Sequence, residues 1–142
     1  MNVSRSALLN YSADKMYSII SDVLAYPSFL NWCSGVQVIS ENDDEMVAKL
    51  LVAYSRLNIS FTTRNQLREN ESVTMTLVDG PFSRLDGRWQ IQDLGQSASK
   101  VSLEMDFDFD NMIAQKLFGR VFQSVIAAQL DAFQKRAHAL YS

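Results

Sequence analysis

Side chains that act as nucleophiles or general bases are scarce in this sequence and stand far apart along it. The sole histidine is His138 and the sole cysteine is Cys33. A Ser/His or Cys/His pair requires the base within hydrogen-bond reach of the nucleophile, and the two residues are far apart in sequence. We interpret His138 as a solvated imidazole near a helix C-terminus and Cys33 as a small buried apolar side chain. No catalytic residue is predicted.

One acidic segment suggests a metal site at first sight. Residues 106–110 read Asp-Phe-Asp-Phe-Asp, like the start of a calcium-binding loop. The turn position of such a loop holds Asn111 instead of glycine, and its twelfth position holds Leu117 instead of glutamate. The alternation is typical of a strand whose outer face carries Glu104, Asp106 and Asp108, and meander pairing is expected to place these acids beside Arg88. No metal site is predicted.

Phosphate-binding signatures are also missing: the chain has no GxGxxG, P-loop, CxxC pair or HExxH. A net charge of -3 gives no general attraction to a phosphate backbone, so DNA is not expected as a partner. RNA contact would need a local basic patch. Four arginines alternate onto the outer face of nearby predicted strands and are candidates for ribosome contact, unless they are ordinary solvated residues: Arg64, Arg68, Arg84 and Arg88.

Length and composition indicate one domain that covers residues 1–142. The chain is 47% hydrophobic and 20% charged, which is ordinary for a globular protein. A single cysteine cannot form an internal disulfide, so we expect a reducing cytoplasm. The first ten residues contain no apolar segment of the signal-peptide type. No apolar run approaches the roughly 20 residues of a transmembrane helix.

Apolar periodicity predicts the order strand, two short helices, six strands and one long helix. Residues 3–9 alternate as in a strand, Ser12 is the expected N-cap of the first helix, and Pro27 suits the first turn of the second. Between residues 35 and 109 the period is two, with polar turns at 41–44, 68–71, 79–81 and 95–97. Residues 111–140 return to a period of 3.6. This pattern predicts an antiparallel meander packed on a long helix.

The same patterns predict a cavity between sheet and helix. One sheet face is expected to be apolar throughout; Ile59 and Phe61 point to it, whereas Thr62 and Arg64 point to a polar face. Apolar residues, Leu117 among them, cover about half of the circumference of the last helix. We therefore expect this helix to lie deep in the concave side of the sheet. A curved sheet need not close on such a helix everywhere. The candidate lining, whose other interpretation is a packed core, is Trp32, Phe61, Met75, Leu77, Trp89, Met105, Phe107, Phe118, Phe122 and Val125.

Several motifs occur together along nearly the whole chain: Ser4-Arg5-Ser6-Ala7-Leu8, Tyr26-Pro27, Phe61-Thr62-Thr63-Arg64-Asn65, Val78-Asp79-Gly80-Pro81-Phe82 and Phe118-Gly119-Arg120-Val121-Phe122. In this combination the sequence resembles the START-like coenzyme Q-binding family, most closely its bacterial RatA branch. It departs from the family at Asn31, where proline is frequent, and at Ile91, where an aromatic residue is frequent. The resemblance implies an α+β helix-grip fold.

Three functional hypotheses follow. The resemblance implies non-catalytic binding of ubiquinone or a similar isoprenoid or lipid, in support of respiratory quinone function, with no other cofactor. For the RatA branch it also implies a toxin that binds the large ribosomal subunit and blocks subunit association. The third hypothesis is a polyketide cyclase-like enzyme, for which only Asp79, Tyr54 or Arg64 could supply a titratable group. We rank the enzyme last.

Overall fold

Seven antiparallel strands form one curved sheet around two C-terminal helices in the computed structural model, which describes residues 1–141. This arrangement confirms the predicted α+β helix-grip fold. The strands are β1 (Asn2–Leu9), β2 (Cys33–Glu41), β3 (Glu45–Tyr54), β4 (Leu57–Arg68), β5 (Ser72–Asp79), β6 (Phe82–Gly95) and β7 (Ala98–Phe109). The helices are α1 (Ala13–Ser21), α2 (Tyr26–Phe29), α3 (Met112–Ala127) and α4 (Gln129–Tyr141), with a 3₁₀ turn at Val23–Ala25.

Strands β2 to β7 form the predicted meander, and β1 pairs with β7, so the sheet order is β1-β7-β6-β5-β4-β3-β2. The four predicted polar turns lie between strands. A fifth turn, Ser55-Arg56, was not predicted; it joins β3 to β4 where Tyr54 pairs with Leu57. Ser55 has a φ of 55°, a left-handed conformation that usually carries glycine or asparagine. The pattern therefore had no turn residue to detect.

The two short helices close one end of the sheet. Ser12 is at the N-cap of α1 with an extended backbone, as predicted, but its side chain makes no capping hydrogen bond. Its hydroxyl instead bonds Asp14 and lowers the pKa of that carboxyl. Pro27 lies in the first turn of α2, where its missing N–H leaves no hydrogen bond unmade.

The long C-terminal helix is bent at Ala128, which separates α3 from α4. At the bend, Gln129 Nε2 donates to the carbonyl of Val125 at 3.1 Å, the carbonyl that the Gln129 backbone N–H would take in a regular helix. Buried residues of α3 begin at Gly119. Leu117, predicted on the apolar face, is 63% exposed because the first turns of α3 extend beyond the core.

The concave face of the sheet is not apolar throughout, which corrects the prediction. Thr63 and Asn65 follow Phe61 on that face of β4 and are buried. Thr62, expected on the polar face, is buried as well. The β4–β5 pairing shifts register between Thr62 and Thr63, where Val78 of β5 is the extra residue, so the alternation of β4 itself is kept.

The acidic face lies in β7 as predicted and Arg88 is beside it, but the arginine that forms its ion pairs is Arg84. Arg84 contacts Asp106 at 3.1 Å and Asp108 at 2.8 Å, whereas Arg88 is in register with Glu104. The N-terminal ammonium group also contacts Asp108, at 2.9 Å. A hydrogen bond from this ammonium group is the main cause that lowers the pKa of Asp108, and Arg84 contributes.

Candidate functional site

An apolar cavity lies between the concave face of the sheet and the bend of the C-terminal helices. Its volume is about 70 Å³, counted as the space that the centre of a water molecule can occupy, which would hold about five waters. It is smaller than the roughly 150 Å³ of an apolar cavity that binds benzene, so a ring-sized group enters only if side chains of the wall move. The wall consists of Ile20, Ser21, Val23, Tyr26, Trp32, Ala48, Leu50, Phe61, Thr63, Asn65, Leu67, Val73, Met75, Leu85, Trp89, Leu103, Met105, Phe122, Val125, Ile126, Gln129 and Phe133.

Two aromatic clusters bound the cavity. In the first, Phe122 of α3 contacts Phe61 and Phe107 edge to face, at centroid distances of 5.9 and 4.8 Å. In the second, Phe133 of α4 contacts Tyr26 at 5.4 Å and Trp89 at 5.0 Å. The two helices on either side of the bend thus each insert one phenylalanine, and the open space lies between these two anchors.

The structure brings most of the predicted lining residues to this one wall: Trp32, Phe61, Met75, Trp89, Met105, Phe122 and Val125. It places the other three elsewhere. Phe107 is fully buried against Phe122 and is not on the wall. Phe118 packs on Phe109, one helical turn before Phe122. Leu77 is half-buried near the end of β5, opposite Thr63 beside the register shift.

Two methionines meet over a glycine in the middle of the sheet. Gly87 pairs with Met75 on one side and with Met105 on the other. A Cβ atom at Gly87 would lie 2.7 Å from Met105 Cε and 2.8 Å from Met75 Cε. The two thioether side chains therefore fold over Gly87, and their flexibility lets this part of the wall adapt to a ligand.

Polar groups on the wall were missed by the sequence analysis. Thr63 Oγ1 donates to Asn65 Oδ1 at 2.7 Å, and both side chains are buried. Gln129 lies at the helix bend and is buried too. Strict alternation from Phe61 would have placed Thr63 and Asn65 on the concave face, so the signal for them was present.

Tyr26 is the one titratable side chain on the wall among the described residues. Its hydroxyl donates to the backbone carbonyl of Ile20. Burial is the main cause that raises its pKa above the usual value for tyrosine, because the phenolate would lose its hydration. Tyr26 is therefore a neutral structural donor at physiological pH.

Replacement of Tyr26 by phenylalanine tests this assignment. At neutral pH we expect a loss of about 1–3 kcal/mol of unfolding free energy, because the Ile20 carbonyl loses its buried donor. In the unfolded chain Tyr26 ionises near pH 10, whereas in the folded protein it stays neutral at that pH. Ionisation therefore favours the unfolded state above pH 10. The wild-type free energy of unfolding should then fall by about 1.4 kcal/mol per pH unit. The stability gap between wild type and Tyr26→Phe should therefore narrow between pH 9 and 11 in urea unfolding.

The matched control is Tyr54→Phe, since Tyr54 is 41% exposed at the end of β3. Its effect on the free energy of unfolding at neutral pH should be small, because no buried partner loses a donor. A Tyr26→Phe gap that stays constant to pH 11 would contradict the buried neutral assignment.

The titratable residues considered for catalysis are not on the wall. Arg64 is on the outer face, where its Nε contacts Glu45 at 3.1 Å, and Asp79 is exposed at the end of β5. Cys33 is buried, and burial raises the pKa of its thiol, which makes it less reactive. The ring of His138 lies 3.5 Å from the hydroxyl of Tyr11, which is half-buried. None of these groups faces the cavity.

Three of the four candidate ribosome-contact arginines are paired with acids. Besides the Arg64–Glu45 and Arg84 contacts, Arg68 lies 3.6 Å from Glu71. Arg88 has no ion pair within residues 1–141 and faces Glu104 across the strands. The outer face is therefore a mixed-charge surface, with little excess positive charge to attract RNA phosphates.

No three histidine, cysteine, aspartate or glutamate side chains in residues 1–141 converge as a metal site. In the same part of the chain, the helices are too short or too polar to span a bilayer.

Comparison with known proteins gives three kinds of similarity. The family model for polyketide cyclase/dehydrase and lipid transport matches residues 9–134. The ribosome association toxin RatA of Escherichia coli K12 is 41% identical over 140 residues, which cover 99% of this chain and 89% of the relative. The mitochondrial coenzyme Q-binding protein COQ10 homolog B of Xenopus laevis is 26% identical over 143 residues, covering 97% of this chain and 58% of the relative.

Among solved structures, the ZhuI aromatase/cyclase of Streptomyces sp. R1128 superposes with a TM-score of 0.86. The match covers 97% of this chain and 93% of that chain at 18% identity. At this identity the likeness shows a shared fold alone.

Proposed function

Because this chain belongs to the polyketide cyclase/dehydrase and lipid transport family, in the branch of the RatA proteins, we propose that it binds a hydrophobic ligand in its cavity without catalysing a reaction. The ligand is ubiquinone or a similar isoprenoid or lipid, and the binding supports respiratory quinone function in the cytoplasm. The observation that carries this proposal is a preformed space lined by aromatic, aliphatic and methionine side chains.

The size of the cavity limits how such a ligand is held. A space of about 70 Å³ admits a ring only if side chains of the wall move, and a long isoprenoid tail must leave the cavity. Met75 and Met105 are the wall residues best suited to move, since thioether side chains change rotamer at little cost. We therefore expect the ring inside and most of the tail outside.

The absence of catalysis is supported by the chemistry of the described wall. It holds no carboxylate, imidazole or ammonium group, and its phenol, Tyr26, already donates to a backbone carbonyl. General acid–base catalysis needs a group of suitable pKa within reach of the reacting atom. A cyclase-like reaction would have no such group here.

The direct test is extraction of lipids from protein purified under native conditions, followed by mass spectrometry and titration with a short-chain ubiquinone. We expect a quinone or isoprenoid at up to one molecule per chain. Protein that yields no extractable lipid and takes up no added quinone would refute ligand binding.

A second proposed function is ribosome association, which the 41% identity to a ribosome association toxin favours. In this proposal the chain binds the large subunit and blocks joining to the small one. Since the outer-face arginines are largely paired with acids, the contact would depend on shape and mixed polar groups more than on net charge. Expression of the protein should lower the 70S peak in sucrose gradients and raise the free subunits. Unchanged profiles would count against it.

A further inference from the structure

One hydrogen-bond donor on the cavity wall has no partner within the described chain. Trp32 is 8% exposed and lines the cavity, and its Nε1 group makes no hydrogen bond. A buried N–H without an acceptor carries an uncompensated desolvation penalty. Phenylalanine would offer similar apolar contact without this penalty, so the indole N–H requires another explanation.

A second donor comes from the polar pair on β4. Because Asn65 Oδ1 accepts from Thr63 Oγ1, the Nδ2 amino group is the part of Asn65 left for other partners. The Asn65 side chain is 6% exposed and borders the cavity, and within residues 1–141 the structure gives its Nδ2 no acceptor. An amide has two N–H donors there. The wall thus offers donors from two different elements.

Gln129 supplies a hydrogen-bond acceptor on the cavity wall, at the helix bend. Its Nε2 donates to the Val125 carbonyl at 3.1 Å, so its oxygen is left as an acceptor. The described wall contains no charged side chain. An ionised ligand group in this cavity would lose its hydration without gaining a counter-charge, which is strongly unfavourable.

We infer that the buried end of the ligand is a neutral ring that bears carbonyl oxygens on opposite sides, and that Trp32 Nε1 and Asn65 Nδ2 each donate to one of them. This inference rests on the proposed ligand binding and adds the residues that select the head group. Fatty-acid carboxylates and phosphate head groups are excluded by the uncharged wall, and a plain hydrocarbon leaves both donors without an acceptor.

Three ring compounds of similar size separate these classes: tetramethyl-1,4-benzoquinone, tetramethylbenzene and tetramethylbenzoate. Calorimetric titration of the wild-type protein should rank the quinone first, with the benzoate at least about 10-fold weaker. Trp32→Phe keeps an aromatic ring and removes the donor. It should weaken quinone binding about 5- to 20-fold and leave tetramethylbenzene binding unchanged.

The second variant is the pair Thr63→Val with Asn65→Leu, which removes the donor without leaving the Thr63 hydroxyl unpaired. It should show the same selective loss. Trp32→Phe without ligand should change Tm by less than about 4 °C, because the lost N–H had no partner. That readout separates a head-group role from a structural one.

The outcomes divide cleanly. The head-group assignment is wrong if the wild type binds the quinone and tetramethylbenzene with equal affinity. It is also wrong if the two variants lower the affinity for both compounds by the same factor. In either case the proposed ligand binding stands. Benzoate binding as tight as quinone binding also overturns the head-group assignment. If no ring compound binds the wild type, both the assignment and the proposed function fail.

Discussion

Trp89→Ala is expected to lower the free energy of unfolding by about 3–5 kcal/mol, the usual range for removal of a buried aromatic side chain. Trp89 is 4% exposed in the middle of β6, and its ring contacts Phe133 at 5.0 Å. The substitution removes this aromatic contact and the area buried against Val73 and Leu103, its cross-strand neighbours. Guanidinium chloride unfolding with and without ligand measures the effect.

Ligand affinity should fall together with stability, since Trp89 also lines the cavity. The matched control on the same strand is Leu94→Ala, because Leu94 is 47% exposed and should change stability by no more than about 0.5 kcal/mol. A Trp89→Ala protein that is destabilised but binds ligand with full affinity would assign Trp89 to the core alone. A stability loss below about 1 kcal/mol would contradict its packing.

Ala48→Leu is expected to abolish ligand binding while the protein stays folded. Ala48 is 1% exposed on β3 and lies on the cavity wall, so three added carbons occupy space that the ligand ring needs. We expect affinity to fall by about 100-fold or more, which corresponds to about 2.8 kcal/mol. Stability should change by less than about 1.5 kcal/mol, because the added atoms fill empty space instead of displacing packed neighbours.

The control carries the same substitution on the other face of the same strand. Ala53 is exposed, and Ala53→Leu should leave affinity unchanged. Titration of both variants with short-chain ubiquinone, with circular dichroism to verify folding, provides the measurement. If folded Ala48→Leu bound quinone as tightly as wild type, the binding site would have to lie outside this cavity.

Local pattern predicted most of the fold. The period-two segments and the polar turns predicted the order of the strands along the chain. The resemblance read from the motifs is confirmed by the family match over residues 9–134. The turn at Ser55-Arg56 was not predicted because its residue in the left-handed conformation is a serine and not a glycine or asparagine. The bend at Ala128 was not predicted because the sequence has no proline or glycine there. In the structure the bend is accompanied by the hydrogen bond from the Gln129 side chain to the Val125 carbonyl.

Charge pairing was less predictable than secondary structure. Meander pairing placed the acidic face beside Arg88, and the register does set Arg88 opposite Glu104, but it also sets Arg84 opposite Asp108, and Arg84 forms the ion pairs. A shift of two residues along a strand keeps the face and changes the partner. Periodicity therefore identified the outer face, and only the register decided which charges meet.

For this protein, the sequence by itself determined which strand faces turn toward the C-terminal helix, because the direction of each Cβ follows from local backbone geometry. The tertiary structure alone decided which inward residues border open space. Phe107 and Trp89 are both buried in the interior, yet the first packs against Phe122 away from the wall while the second lines the cavity. Such differences depend on how residues from distant segments fill the interior, and an unfilled volume has no periodic signature in the chain.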